Sequence, residues 1–229
     1  MGTLYIVGTP IGNLQDISPR ALETLRRVKL IAAENPARTL RLLGRYEIQT
    51  PMTRYTDAYT RKKQARTQTV LKALTEGDVA LVSEAGMPGL ADPGYELLQA
   101  AIERGVPVVP VPGPTAVGAA LSVSGLPVER YVFLGFLPRK GGARRRLLES
   151  MTESAWPLVA YESPHRLLAA LKDIQSVLGE RRMSVSCELT KLYEETRHGA
   201  AGELLAHFSA HPPRGEFVLV IAGEGEDSL

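Results

Sequence analysis

Short runs of β-branched and aliphatic residues alternate along this chain with stretches of helical periodicity, and glycine or proline punctuates the joins. Residues 4–8 read as a strand, followed by a loop and a helix capped by Ser18 with Pro19 at its first position. Residues 29–33 read as the next strand and 37–43 as a short helix. A longer helix is predicted over 60–75, and Gly77-Asp78 turns the chain into a strand at 79–83. A helix over 93–104 ends at Gly105 and leads to a strand at 106–111. This βαβα order predicts a parallel sheet flanked by helices. The pattern then restarts. A helix of small residues is predicted at 115–124, strands at 131–137, 157–161, 183–189 and 216–222, and helices at 143–152, 164–178 and 201–211. A boundary at Pro112-Gly113-Pro114 divides the chain into two α/β halves, 1–112 and 113–229.

Composition narrows this picture. The 229 residues are 44% hydrophobic and 23% charged, ordinary values for a globular protein, which excludes disordered, collagen-like and coiled-coil chains. Cys187 is the single cysteine, so no intrachain disulfide forms, and four scattered histidines give no zinc cage. No metal is expected. Residues 105–128 carry no charge but contain five prolines, which rules against a membrane-spanning helix. No segment has the order of a signal peptide, so a cytoplasmic location is expected.

The net charge of +2 conceals a division. Residues 38–66 hold eight basic and two acidic residues, a local +6, and residues 139–146 hold five basic residues and no acidic one. The remainder therefore sums to −9. Such a chain can present a positive face to a polyanion, or simply two solvated helices. Tyr46, Tyr55 and Tyr59 lie among the first group of arginines, where they could stack on unpaired bases or pack against their own helix.

In open parallel sheets ligands bind beyond the carboxyl ends of the strands, so the loops there carry the candidate chemistry. The first, Gly8-Thr9-Pro10-Ile11-Gly12-Asn13, lacks the GxGxxG spacing of a dinucleotide site, and no phosphate-binding GxxxxGK[ST] occurs in the chain. The loop over 83–94 holds three glycines, two prolines and two carboxylates, and suits a flat, uncharged group bound through main-chain amides. Residues 111–116 lead into a helix that Thr115 can cap, and residues 161–166 lead into another with Ser163 as cap and Pro164 at its first position. Ser163 and His165 lack the GxSxG context of a catalytic serine.

Together the stretches 4–14, 30–34, 79–94, 109–127, 135–140, 161–167 and 188–191 resemble the tetrapyrrole methylase superfamily. Within it they are similar to the 16S ribosomal RNA (cytidine-2′-O-)-methyltransferase family, without that family's small C-terminal region. The resemblance covers nearly the whole chain in order. It implies two α/β domains with S-adenosyl-L-methionine in the cleft between them, a homodimer, and ribosomal RNA or the small ribosomal subunit as partner, with neither a membrane nor DNA. By motif it assigns the cofactor to Pro10, Glu84, Met87, Thr115, Ala116, Ser163, Leu189 and Phe217. The chain departs from the family pattern at Asn35-Pro36-Ala37, at Glu84 and at Met87.

Methyl transfer from a sulfonium to a ribose hydroxyl gains from alignment and from a general base. Glu34, Asp92 and Glu188 are the candidates, each at a loop or strand end. Arg38, Arg139, Arg144, Arg145, Arg166 and Lys191 are the candidate contacts to substrate phosphates. Two other readings stay open: methylation of a small tetrapyrrole-like substrate, and a non-catalytic RNA-binding or dimerisation module that kept the fold.

Overall fold

The computed structural model describes residues 1–56 and 62–225, with side chains described outside 62–64. Tyr59, Arg61 and the side chains of Lys62 and Lys63, part of the expected basic face, therefore lie outside the described residues. The chain forms two compact units, Met1–Thr115 and Ala116–Leu229.

The first unit runs β1 (Leu4–Val7), α1 (Pro19–Arg27), β2 (Leu30–Ala33), α2 (Pro36–Arg45), β3 (Met52–Arg54), α3 (Lys62–Glu76), β4 (Val79–Val82), α4 (Tyr95–Glu103) and β5 (Val108–Val111). Its sheet has the order β3-β2-β4-β1-β5 with every pair parallel. Each crossover carries a helix onto one face, which is why the central β4 is buried along its whole length. Ile31, Ala33, Ala80 and Val82 pack with Leu25, Leu42 and Leu43 on one side. Leu4, Ala32, Val79 and Leu81 pack with Val70, Leu74 and Leu97 on the other. The three-residue edge strand β3 has too short an apolar signal to be predicted.

The second unit runs α5 (Ala116–Ser122), β6 (Val132–Phe136), α6 (Gly141–Glu149), β7 (Leu158–Glu162), α7 (Pro164–Leu178), β8 (Arg182–Cys187), β9 (Glu195–Ala200), α8 (Ala201–Ala210) and β10 (Phe217–Ile221). Here the restarted parallel pattern needs correction. The order is β6-β7-β10-β8-β9, and only β6–β7 is parallel. The helix α7 carries β7 to β8 in the same direction but leaves a slot between them, which β10 fills in the opposite sense. The connection from β8 to β9 has no helix, so these strands pair antiparallel. Polar β9, Glu-Thr-Arg-His-Gly-Ala, covers the edge and was not expected from any apolar run.

Alternation along β10 sends side chains to both faces. Phe217, Leu219 and Ile221 enter a core with Leu148, Leu167, Leu171 and Phe208, whereas Val218 and Val220 meet Val159 and α5. Truncating a fully buried leucine such as Leu171 to alanine removes roughly 2–5 kcal/mol. Among the described residues no helix is long and apolar enough to cross a membrane.

Candidate active site

In the first unit three loops leave the carboxyl ends of neighbouring strands and are stitched together by main chain. The Gly8 amide donates to Val111 O at 3.0 Å, and Thr9 and Gly86 exchange two bonds of 2.9 and 3.0 Å. A Cβ on Gly8 would stand 2.6 Å from Gly113 N, and one on Gly113 2.8 Å from Gly8 Cα. Only glycine at both positions allows this approach. The same Cβ on Gly8 would lie 2.6 Å from Met87 Sδ, so the Met87 side chain packs against Gly8 at the junction. The resulting wall offers backbone and apolar atoms and no phosphate clamp.

The second feature is a group of carboxylates at the ends of β2 and β4. Glu34 follows β2, and its Oε2 accepts the Glu84 amide at 2.9 Å, adding a side-chain bond to the ladder between the two strands. Asn35 is the N-cap of α2, its Oδ1 accepting the Arg38 amide at 3.4 Å, with Pro36 at the first helical position. Asn35 Nδ2 also donates to Glu84 Oε2 at 3.2 Å, and Arg38 pairs with Glu84 Oε1 at 2.9 Å. Glu84, assigned by resemblance to the cofactor, thus has both carboxylate oxygens engaged by α2. The Asn-Pro pair was a readable cap signal, yet the helix was expected to begin at Ala37.

Asp92 completes the group. Burial pushes its carboxyl up to about 6, the nearby charges of Glu34 and Glu84 push the same way, and a hydrogen bond from Ser83 opposes them. No salt bridge neutralises it among the described residues. Ala91 beside it has φ +61, a conformation that non-glycine residues adopt at some cost. A carboxylate with this pKa is ionised at neutral pH and retains affinity for a proton, as a general base requires.

The second unit holds most of the other predicted residues. Thr115 closes the first unit and stands directly before α5. Ala116 and Leu189 meet in the apolar cluster against Val159, Val218 and Val220. Ser163 occupies the N-cap of α7 but makes no capping bond with its side chain. Its amide donates to Glu162 Oε1 at 2.8 Å, and Glu162 Oε2 is buried without a hydrogen-bond partner. The Phe217 ring is buried edge-on against Phe208.

Glu188 differs from Asp92. Burial raises its carboxyl, but hydrogen bonds from Lys191 and the Glu216 amide, with the Lys191 charge, outweigh burial and hold it below the usual range. Lys191 Nζ bridges Glu188 and Glu216 at 2.8 Å each. Arg166 is likewise held by Glu162 and by Leu137 O.

The expected basic face is also revised. Arg144 is buried, donating to Asp173 at 2.8 Å and to the carbonyls of Pro138 and Ala169. Arg145 shares Asp173 at 3.1 Å but is half exposed, and Arg139 is exposed. Tyr55 is buried, and the Tyr46 hydroxyl donates to Leu14 O at 2.7 Å, so neither is a stacking platform. Arg41, Arg45 and Arg54 remain exposed. Among the described residues no group of three or more His, Cys, Asp or Glu side chains could hold a metal ion.

Residues 3–205 match the tetrapyrrole (corrin/porphyrin) methylases. The chain belongs to the tetrapyrrole methylase family. It is 48% identical over 225 residues to the ribosomal RNA small subunit methyltransferase I of Synechocystis, spanning 97% of this chain and 80% of that protein. It is 45% identical over 225 residues to the protein of the same name from Thermotoga maritima, spanning 98% and 100%. Among solved structures it is similar to the uroporphyrin-III C-methyltransferase of Thermus thermophilus complexed with S-adenosyl homocysteine. That likeness has a TM-score of 0.65 at 19% identity and covers 97% of this chain and 98% of that one. A conserved hypothetical protein from Aeropyrum pernix gives a TM-score of 0.72 at 18% identity, over 97% and 85% of the two chains. At these identities the structures establish the tetrapyrrole methylase fold. The reaction class, methylation, is that of the family.

Proposed function

We propose that this tetrapyrrole methylase transfers a methyl group from S-adenosyl-L-methionine to the 2′-hydroxyl of a cytidine in small-subunit ribosomal RNA. The observation that carries the RNA reading is near full-length identity of 48% to a ribosomal RNA small subunit methyltransferase I. When bound, the cofactor supplies an electrophilic methyl on a sulfonium sulfur. The wall of loops after β1, β4 and β5 fits it, because that donor carries no phosphate and the wall offers amides, carbonyls and the Met87 side chain.

Asp92 is the base in this reading. With S-adenosyl-L-methionine bound as methyl donor, the Asp92 carboxylate would accept the proton that the 2′-hydroxyl gives up on methylation. Glu188, paired with Lys191 and held below the usual carboxylate range, is not the base in this reading. Exposed Arg38, Arg41, Arg45, Arg54, Arg139 and Arg145 contact phosphates, while the chain assembles as a homodimer.

The deciding experiment supplies radiolabelled S-adenosyl-L-methionine and small ribosomal subunits lacking the modification, followed by nuclease digestion of the RNA. Label recovered as 2′-O-methylcytidine supports the reading. Label on another nucleotide position would overturn the cytidine assignment, and cofactor binding without transfer to RNA would favour a non-catalytic module. Sedimentation tests the dimer separately.

A further inference from the structure

The arginines of the first unit divide by the groups that hold them. Arg38 pairs with Glu84 at the end of α2 nearest the loop after β4. Arg20, Arg26, Arg27, Arg41 and Arg45 are exposed and form no ion pair with a carboxylate among the described residues. The three on α1 bond to neutral acceptors instead. Arg20 donates to Pro110 O at 3.3 Å, Arg26 to Tyr46 O at 3.1 Å and Arg27 to the Tyr5 hydroxyl at 2.8 Å. A guanidinium has five N–H donors, so each side chain is held in place with its charge intact and donors to spare. In the second unit Arg144, Arg166 and Arg197 are each paired with a carboxylate.

α1 and α2 share one apolar cluster on the first sheet, through Ala21, Leu25, Leu42 and Leu43. Each helix follows a strand and runs back along the sheet, so Arg38 lies at the end nearest the site, and Arg26, Arg27 and Arg45 lie at the far end. The Arg26 bond to Tyr46 O, next to Arg45, ties those two helix ends together. Arg38, Arg41 and Arg45 fall at i, i+3 and i+7 on one face of α2, a row about 10 Å long. The helix dipole favours Arg26 and Arg27 in the last turn of α1 but gives no reason for Arg41 in the middle of α2. Between residues 19 and 47 the exposed acids are Glu23 and Glu47.

We propose that this face of α1 and α2, through Arg26, Arg27, Arg41 and Arg45, is a docking platform for the phosphate backbone of the RNA substrate, outside the reaction site. The α1 arginines belong to neither basic run of the sequence and join the platform only through the fold. The inference rests on the RNA reading above, but its readout is binding and not methyl transfer.

The test measures affinity for unmodified small ribosomal subunits across a salt series, with cofactor absent. The pair Arg26→Gln and Arg27→Gln should weaken binding roughly three- to tenfold at low salt and flatten the salt slope by about 0.7 for each lost phosphate contact. Arg26→Lys with Arg27→Lys keeps both charges and should keep most of the slope, which a packing role for these side chains would not require. A glutamine pair that leaves affinity and slope unchanged, or a lysine pair that loses as much slope as the glutamine pair, overturns the platform. If the glutamine pair fails to fold, the slope of Arg41→Gln with Arg45→Gln decides, because neither side chain is tied to a carboxylate. Subunit binding that behaves as expected without any methyl transfer would remove the proposed reaction and leave the platform standing. Intact transfer beside an unchanged slope would remove only the platform.

Discussion

Asp92 in the first unit and Glu188 in the second are both acids on loops beyond strand ends, yet their surroundings treat a proton in opposite ways. Around Asp92 burial and the charges of Glu34 and Glu84 raise the carboxyl, opposed by a hydrogen bond from Ser83. Around Glu188 a lysine and a backbone amide satisfy the charge. Both acids sit beside strained backbone, Ala91 at φ +61 and Glu188 itself at φ +50. Strain alone therefore does not mark a base. What separates the two sites is an unneutralised charge against a paired one, and the same distinction runs through the second unit, where Arg144 and Asp173 are paired in its interior.

The comparison is sharpest in catalysis. Asp92→Asn should lower the methyl-transfer rate by roughly 10²–10⁴-fold with cofactor affinity little changed, whereas Glu188→Gln should cost only a few-fold; single-turnover rates and calorimetry read both. Comparable losses from the two variants would erase the distinction. In stability the larger effect moves to the second unit. Arg144→Met strips the buried Asp173 of its main partner and should cost about 3 kcal/mol in denaturant unfolding, toward the low end of the usual range because Arg145 remains.

Asp92 makes the reverse stability prediction. Its folded pKa lies above the unfolded value, so its charged form destabilises the fold above about pH 6 and that cost is relieved as the pH falls toward 4. After allowance for solvent screening, Asp92→Asn should stabilise the protein by roughly 1–2 kcal/mol at pH 7.5 and by little near pH 4. Thermal unfolding across that range checks it. The smallest effects belong to the exposed arginines. Replacing Arg41 and Arg45 by glutamine should weaken RNA binding by a modest factor and flatten its salt dependence, the slope changing by about 0.7 for each single-strand phosphate that is no longer neutralised. Arg144→Met should leave that slope alone.

The first sheet was readable from sequence because its parallel strands are continuous apolar runs joined by capped helices, as at Ser18-Pro19 and Val79–Val82. The second sheet was less so. Apolar runs give the presence of β7, β8 and β10 but not their direction, which depends on which strand fills the slot left by α7. The edge strands β3 and β9 bury too little to leave a pattern. At the site, the loop over 83–94 and its acids were legible as composition. The partners were not: that Arg38 meets Glu84, or that Arg144 turns inward to Asp173, follows from pairings 46 and 29 residues apart in the chain. Charge runs gave the count of arginines and not their exposure.

The central claim is that an ionised Asp92 takes the proton released by the acceptor hydroxyl. It is tested most directly by the pH dependence of single-turnover methyl transfer to unmodified small ribosomal subunits at saturating cofactor, in the unaltered protein and in Asp92→Asn. The unaltered protein should lose rate below about pH 6, in step with protonation of that carboxyl, and the residual rate of Asp92→Asn should show no such fall. An acid limb that persists unchanged in Asp92→Asn would place the base elsewhere and contradict the assignment.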